Sequence, residues 1–307
     1  MLKSGLKLYV YGYCSDYHDL VTVQLAKKNI NESQLFGIIN EDSLVQISTC
    51  NREELYFIAP EGIVNELSLG SGFLLEGYQA FEKLVLTITG LKTPILGDVH
   101  IYQQVKECIG KKKRLNDLLR QELDKAFALA RFINREFDVK GKRESFAAIF
   151  FQEILESISG YETVAIVGSG TMAMEFVFYC IHHSMSFVDI YSRSYIEGQA
   201  SFKKHGIRNF LTSDFRPSNY NIIILALSVD QPIFKAHQFE SVKTPTHLLD
   251  LGECPAVENF NHSNLVRYNL SHFSERKTSK EPMRQKMISE VKPIIMHTYR
   301  ENAFNLP

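Results

Sequence analysis

The chain has 307 residues, 45% of them apolar, and a formal net charge of -1. That length gives a prior of two domains of ordinary size, with enough apolar content for two cores. The near-neutral charge excludes a global field for nucleic acid, so any RNA contact has to come from a local basic patch.

Five cysteines, Cys14, Cys50, Cys108, Cys180 and Cys254, are scattered without metal-ligand spacing. An odd count with no signal peptide points to a reducing cytoplasm. No apolar run approaches ~18 residues, which excludes a membrane-spanning helix.

Leu6-Lys7-Leu8-Tyr9-Val10 alternates as a strand with one buried face, and Leu20 to Lys28 reads as a short helix. Leu44 to Thr49 and Leu55 to Ile58 are strands flanking Cys50-Asn51-Arg52-Glu53-Glu54. Strand, turn and strand put a thiol, an amide, a guanidinium and a carboxylate at one corner. A cysteine near an arginine can be held partly as thiolate, because the cation favours the charged form. The same stretch also reads as a polar hairpin with a small buried cysteine. Phe73 to Ile88 is predicted to be helical, with Gly77 weakening its first turn.

Residues 90 to 158 are predicted to be largely helical, with one helix over Gly97 to Gly110. Leu115, Leu118, Leu119, Leu123, Phe127 and Ala130 keep the three-and-four spacing of an amphipathic helix. Lys111-Lys112-Lys113-Arg114 and Lys140-Gly141-Lys142-Arg143 flank it. These clusters read either as solvated helix ends or as a phosphate-contacting patch. Ser145 is placed to cap a further helix, and Gly160 to end it.

Thr163 to Val167 is a continuous apolar strand, followed by Gly168-Ser169-Gly170-Thr171-Met172-Ala173 and the helical run Met174 to Ile181. This is G-x-G-x-x-A in the strand-turn-helix context that dinucleotide binding requires. Glycines let the backbone approach a pyrophosphate, and the helix N-terminus offers amide donors. Phe187 to Tyr191 is the next strand and ends in Ser192-Arg193-Ser194. A base flanked by hydroxyls suits the 2′-phosphate of NADP rather than a bare ribose. Ile222 to Ala226 and His247 to Leu251 are further strands, with Leu265 to Tyr268 as an edge. Alternating strands and helices imply a parallel doubly wound sheet. Glu281 to Asn302 carries a helical pattern interrupted by Pro293, which should bend or end the helix.

Thr49-Cys50-Asn51-Arg52 with the acidic pair and Tyr56 resembles the active-site signature of the glutamyl-tRNA reductase family. The stretch from Ile95 to Glu107 is similar to the family's LGE-x-QILGQVKEA, keeping Leu96, Gly97, Ile101, Gln104, Val105, Lys106 and Glu107. With the loop at Gly168, three motifs fall in the family's order over residues 1 to about 295. Departures accompany them. Register on Gly90-Leu91 puts Lys83 where the family has a histidine. Asp98 replaces a glutamate, Lys92 an aspartate and Thr93 a serine, while Cys14-Ser15-Asp16-Tyr17-His18 and Cys254-Pro255-Ala256 replace two further patterns.

The resemblance implies an α/β protein. An N-terminal α+β catalytic domain with a helical subdomain (1–158) precedes a Rossmann-type NADP-binding domain (159–278) and a truncated spinal-helix segment (279–307). It implies NADPH-dependent reduction of glutamyl-tRNA to glutamate-1-semialdehyde through a thioester on Cys50, the first step of tetrapyrrole synthesis. Thr49, Asn51, Arg52, Glu54, Thr93, Asp98 and Gln104 would bind substrate. Gly168, Ser169, Gly170, Thr171, Met172, Ser192, Arg193 and Ser194 would bind cofactor. The implied partners are glutamyl-tRNA and the downstream aminomutase. The C-terminal helix is expected to pack back on its nucleotide domain, leaving a monomer. Two alternatives stand beside this reading: a non-catalytic paralogue binding tRNA or a tetrapyrrole-pathway enzyme, and a general NADP-dependent dehydrogenase.

Overall fold

The computed structural model describes the chain apart from residues 1–4, 15–16, 19–21, 24–25, 27–38, 50–51, 63–70, 94–95, 140, 142–144, 155–161, 186, 195–199, 253, 270–271, 273–280 and 302–307. Most of the helix expected over Leu20 to Lys28, both residues of the Cys50-Asn51 turn, Gly160 and most of the second basic cluster lie outside the described residues. The chain forms two compact units, residues 1–144 with 277–307 and residues 145–276.

The first unit is built on a four-stranded antiparallel sheet: β1 (Leu6–Cys14), β2 (Leu44–Thr49), β3 (Arg52–Pro60) and β4 (Phe73–Glu76). Their spatial order is β2-β3-β1-β4. Both faces of the sheet are buried, where the alternation in β1 suggested one. Leu8 and Val10 face a large core with Val45, Ile47, Tyr56 and Ile58. Tyr9 and Tyr11 face a second cluster with Leu44, Leu55 and Phe57. The large aromatics explain this, since Tyr9 stacks on its cross-strand partner Phe57 at 5.4 Å.

The predicted helix over Phe73 to Ile88 divides in two. Phe73–Glu76 pairs with β1, and Gly77 turns the chain at φ +56° into α1 (Tyr78–Ile88). The pairing with β1 outweighs helix propensity there. α2 (Val99–Gly110) is capped by Asp98, which accepts a hydrogen bond from the His100 amide at 2.9 Å. α3 (Asp117–Glu136) is capped by Asn116. It buries Leu119, Leu123, Ala126, Leu129, Ala130 and Ile133. Of the stripe read from the spacing, Leu119, Leu123 and Ala130 are buried, Leu118 and Phe127 are half-buried, and Leu115 precedes the helix.

The second unit opens with α4 (Phe146–Ile154), whose first turn is capped by Ser145 Oγ at 3.0 Å from the Ala148 amide. Its parallel sheet holds β5 (Thr163–Val167), β6 (Phe187–Ser192), β7 (Arg208–Leu211), β8 (Ile222–Leu225), β9 (Thr246–Asp250) and β10 (Leu265–Asn269). α5 (Thr171–His182) follows β5, and the short α6 (Ala200–Lys204) precedes β7. The order β10-β9-β8-β5-β6-β7 is that of a doubly wound dinucleotide-binding fold. β7 is only four residues long and half-polar, so its sequence carries no strand pattern.

Two unit boundaries differ from the sequence reading. α4 belongs with the parallel sheet, because Phe150 and Phe151 pack on Phe176 and Phe150 on Tyr268. α7 (Glu281–Glu301) belongs with the first unit rather than the nucleotide domain. Its Met287, Ile288, Val291 and Ile295 enter the core formed by α1 and α3. The helix continues through Pro293, whose missing N–H the packed helix tolerates.

Candidate functional site

Register brings the first site together. Thr49 at the end of β2 and Cys14 at the end of β1 are both cross-strand partners of Arg52, the first residue of β3. Cys50 and Asn51 form the two-residue connection between Thr49 and Arg52 and lie outside the described residues. The period of two along β3 then puts Arg52, Glu54 and Tyr56 on one face.

These side chains form a buried charged cluster. Arg52 is 1% exposed, Glu54 0% and Lys83 5%. Arg52 Nη1 donates to Glu54 Oε1 at 3.2 Å and to Thr87 Oγ1 at 2.7 Å, and Nη2 donates to the Lys92 carbonyl. Lys83 Nζ stands 3.1 Å from Glu54 Oε1. Tyr56 OH donates to the other carboxylate oxygen at 2.9 Å. Burial by itself would raise the Glu54 carboxyl, but the charges of Lys83 and Arg52 outweigh it and hold the group below its usual value. Tyr56 is pushed well above the usual phenol value, by burial and then by the Glu54 charge.

The remaining predicted substrate residues are distributed around this cluster. Thr93 is buried, its hydroxyl donating to the Gly90 carbonyl at 2.9 Å. Gly97 N–H donates to that same carbonyl at 3.0 Å, which brings the start of α2 and its cap Asp98 beside the Gly90 turn. Gln104 is half-buried on α2. Arg52 and Glu54 are therefore spent on internal partners rather than open at a surface. Lys83, Thr87 and Cys14 were not picked out as partners of Glu54 and Arg52 from sequence. Lys83 and Thr87 are four apart on α1 and share a face, a signal that becomes legible only once β3 lies against that helix. Lys83 Nζ also donates to Cys14 Sγ at 3.3 Å.

Among the described residues Cys14, Cys108, Cys180 and Cys254 are free thiols. Burial pushes Cys180 up to about 12, which makes it inert. Among the described residues no three His, Cys, Asp or Glu side chains cluster to hold a metal ion, and no helix is long and apolar enough to cross a membrane.

In the second unit the loop after β5 is shaped for close approach. Gly168 has φ +131°, and a Cβ there would stand 2.2 Å from the Ala226 carbonyl oxygen. Its N–H donates to the Tyr191 carbonyl at 2.7 Å, fixing the loop over the ends of β6 and β8. A Cβ on Gly170 would meet open space, and no side chain caps the N-terminus of α5. Ser169, Gly170 and Thr171 are exposed and Met172 is half-buried. The open amides and the room beside them fit a pyrophosphate. At the end of β6, Ser192 is buried and donates to the Ser194 carbonyl, while Arg193 and Ser194 are exposed. β6 itself is held by Asp189, which accepts from Arg208 at 2.7 and 2.8 Å and from Tyr220 at 2.6 Å.

Fold and sites define a two-unit α/β protein, one unit carrying a buried ion cluster at the start of β3 and the other a dinucleotide-binding fold. Residues 20–137 match the family model described as glutamyl-tRNA reductase, N-terminal domain. The glutamyl-tRNA reductase of Methanococcus aeolicus is 22% identical over 94% of this chain and 79% of its own length. That of Sulfurisphaera tokodaii is 24% identical over 65% of this chain and 52% of its own length. The solved glutamyl-tRNA reductase of Methanopyrus kandleri aligns with 96% of this chain and 80% of its own, at 17% identity and a TM-score of 0.44. Over residues 20–137 the chain is thus similar to the N-terminal domain of glutamyl-tRNA reductases, and at low identity to longer stretches of those proteins.

Proposed function

We propose that the chain is an NADPH-dependent glutamyl-tRNA reductase of the cytoplasm, catalysing the first step of tetrapyrrole synthesis. The observation that carries this reading is the buried Arg52–Glu54–Lys83 cluster at the start of β3, the strand that Cys50-Asn51 joins in sequence to Thr49. The Cys50 thiolate attacks the glutamyl ester carbon, and the tRNA ribose oxygen leaves with a proton. A thioester on Cys50 remains. NADPH, when bound, would supply the hydride for reducing this thioester to glutamate-1-semialdehyde, with the Cys50 sulfur leaving as thiolate. Splitting the acyl reduction into two steps is what the nucleophile contributes.

The protein's own residues hold the reactants. Arg52 and Glu54, each fixed by the other, set the field at the corner, and the guanidinium favours the thiolate. Thr49, Asn51, Thr93, Asp98 and Gln104 orient the glutamyl group. Gly168, Ser169, Gly170, Thr171 and Met172 hold the cofactor pyrophosphate, and Ser192, Arg193 and Ser194 its 2′-phosphate. The aldehyde product passes to the downstream aminomutase.

One observation favours a second reading, that of a non-catalytic relative. Both carboxylate oxygens of Glu54 are already engaged by Arg52, Lys83 and Tyr56, so a substrate amine would have to displace one of them. Turnover decides between the two. The purified protein is expected to reduce glutamyl-tRNA with NADPH, and Cys50→Ser to abolish this while nucleotide binding and folding persist. A Cys50→Ser protein with near wild-type turnover sinks the thioester mechanism. Nucleotide binding without any glutamyl-tRNA turnover favours the second reading, and turnover of an unrelated carbonyl compound a general dehydrogenase.

A further inference from the structure

We propose that the connector between α2 and α3, Lys111-Lys112-Lys113-Arg114, is an RNA-phosphate-binding strip that seats the tRNA moiety along β2. The proposal rests on the reading that the substrate is a charged tRNA, and adds a site to it.

Four consecutive cations stand in a chain whose net charge is -1. Lys111, Lys113 and Arg114 are exposed, and their side chains have no ion pair among the described residues. Elsewhere in the same unit Lys7, Lys125 and Lys292 each meet a carboxylate within 3.1 Å. Three adjacent exposed cations repel one another, and a polyanion relieves that repulsion. A solvated helix end is the competing explanation. It accounts for Lys111, which caps α2, where a cation is stabilised by roughly 0.3–1 kcal/mol. Lys113 and Arg114 lie beyond the last turn and gain little from it.

Position gives the strip its use. On its α2 side, Cys108 Sγ lies 4.0 Å from the Ser48 carbonyl. On its α3 side, the Asn116 amide donates to the Asp42 carbonyl at 2.6 Å. Ser48 lies near one end of β2 and Asp42 just before the other, so the strip is pinned alongside this edge strand. β2 runs directly into Thr49 and Cys50. Residues 111 to 114 can span about 10 Å, the axial rise of about three phosphates of one strand at ~3.4 Å each. An acceptor stem held there by its backbone leaves its end free to reach the cysteine corner.

The test measures binding of uncharged glutamate tRNA to the full chain as salt rises from 50 to 200 mM, for wild type and Lys111→Ala/Lys113→Ala/Arg114→Ala. Each phosphate contact contributes about 0.9 to the slope of log affinity against log salt. Three contacts lower that slope by about 2.7 in the variant, so wild type loses roughly 40-fold more affinity than the variant over this fourfold range. KM for glutamyl-tRNA rises while kcat stays unchanged, and circular dichroism and NADPH binding report the fold. Should the triple variant misfold, the three single variants are each expected to lower the slope by about 1. Equal slopes and affinities in wild type and variant overturn the proposal. So does wild-type binding of heparin, or of anionic vesicles, as tight as that of tRNA. Tight, strip-dependent tRNA binding without turnover supports the strip and removes the enzyme reading; turnover with unchanged binding in the variant does the reverse.

Discussion

Lys83 Nζ lies 3.1 Å from Glu54 Oε1, with the carboxylate wholly closed to water. Glu54 is thus an ion whose charge is tolerable only because Lys83 and Arg52 stand beside it.

Its carboxyl is held below the unfolded value of about 4.5, so its contribution to stability is present above that pH. The contribution is lost as pH falls through the lower folded value. Lys83→Met removes one compensating charge and is expected to cost roughly 3–5 kcal/mol. The acid-unfolding midpoint of the first unit should move to higher pH. Urea denaturation at neutral pH and an acid titration measure both. Adding Glu54→Gln to Lys83→Met should restore part of the loss, because the two changes share one interaction. Unchanged unfolding midpoints in Lys83→Met would show that the pair contributes nothing.

The two loop glycines should respond differently to the same methyl group. Gly168→Ala puts a Cβ 2.2 Å from the Ala226 carbonyl oxygen at φ +131°. The backbone strain alone is worth ~1–3 kcal/mol, so the second unit should unfold at lower denaturant and lose dinucleotide affinity. Gly170→Ala meets open space in the free protein. It should leave stability almost unchanged and weaken nucleotide binding only where the methyl meets the ligand. Calorimetry on both variants, with and without nucleotide, separates strain from occlusion; equal stability losses would contradict this assignment.

Cofactor choice should follow Arg193, which is exposed at the end of β6 without a neighbouring carboxylate in Ser192-Arg193-Ser194. NADPH is expected to bind more tightly than NADH. One charge-assisted contact is worth ~1.5–3 kcal/mol, or roughly tenfold to a hundredfold in affinity. Arg193→Ala should erase that difference while leaving NADH binding in place. Fluorescence titration of both nucleotides would show it, and equal affinities in the wild type would remove the argument.

The chain should be a monomer at micromolar concentration. α7 spends Met287, Ile288, Val291 and Ile295 inside its own unit, and Lys292 meets Glu82 of α1 at 3.1 Å. Tyr299 packs edge-on against Tyr78 at 5.8 Å. Light scattering should give a mass near 35.2 kDa. A mass of about twice that value would show another surface pairing two copies.

Local pattern determined much of this protein from sequence alone. The apolar run Thr163 to Val167 with two glycines behind it specifies a strand, a tight turn and a helix start, because each needs only neighbours in the chain. The three-and-four spacing of α3 and the hairpin around Cys50-Asn51 are local in the same way. What surrounds that hairpin is not. Arg52 reads as an exposed substrate ligand in sequence, yet it is buried against Thr87 and the Lys92 carbonyl, 35 and 40 residues away. Glu54 finds Lys83 only because α1 packs on the sheet. Phe73–Glu76 becomes a strand because β1 offers it hydrogen bonds, and α7 joins the first unit because α1 and α3 leave an apolar groove for it. Hydrogen bonds and ion pairs act over a few ångströms in space, whatever the separation in sequence. Only the tertiary structure decides which distant groups meet, and so which charges are open to a substrate and which are already paired.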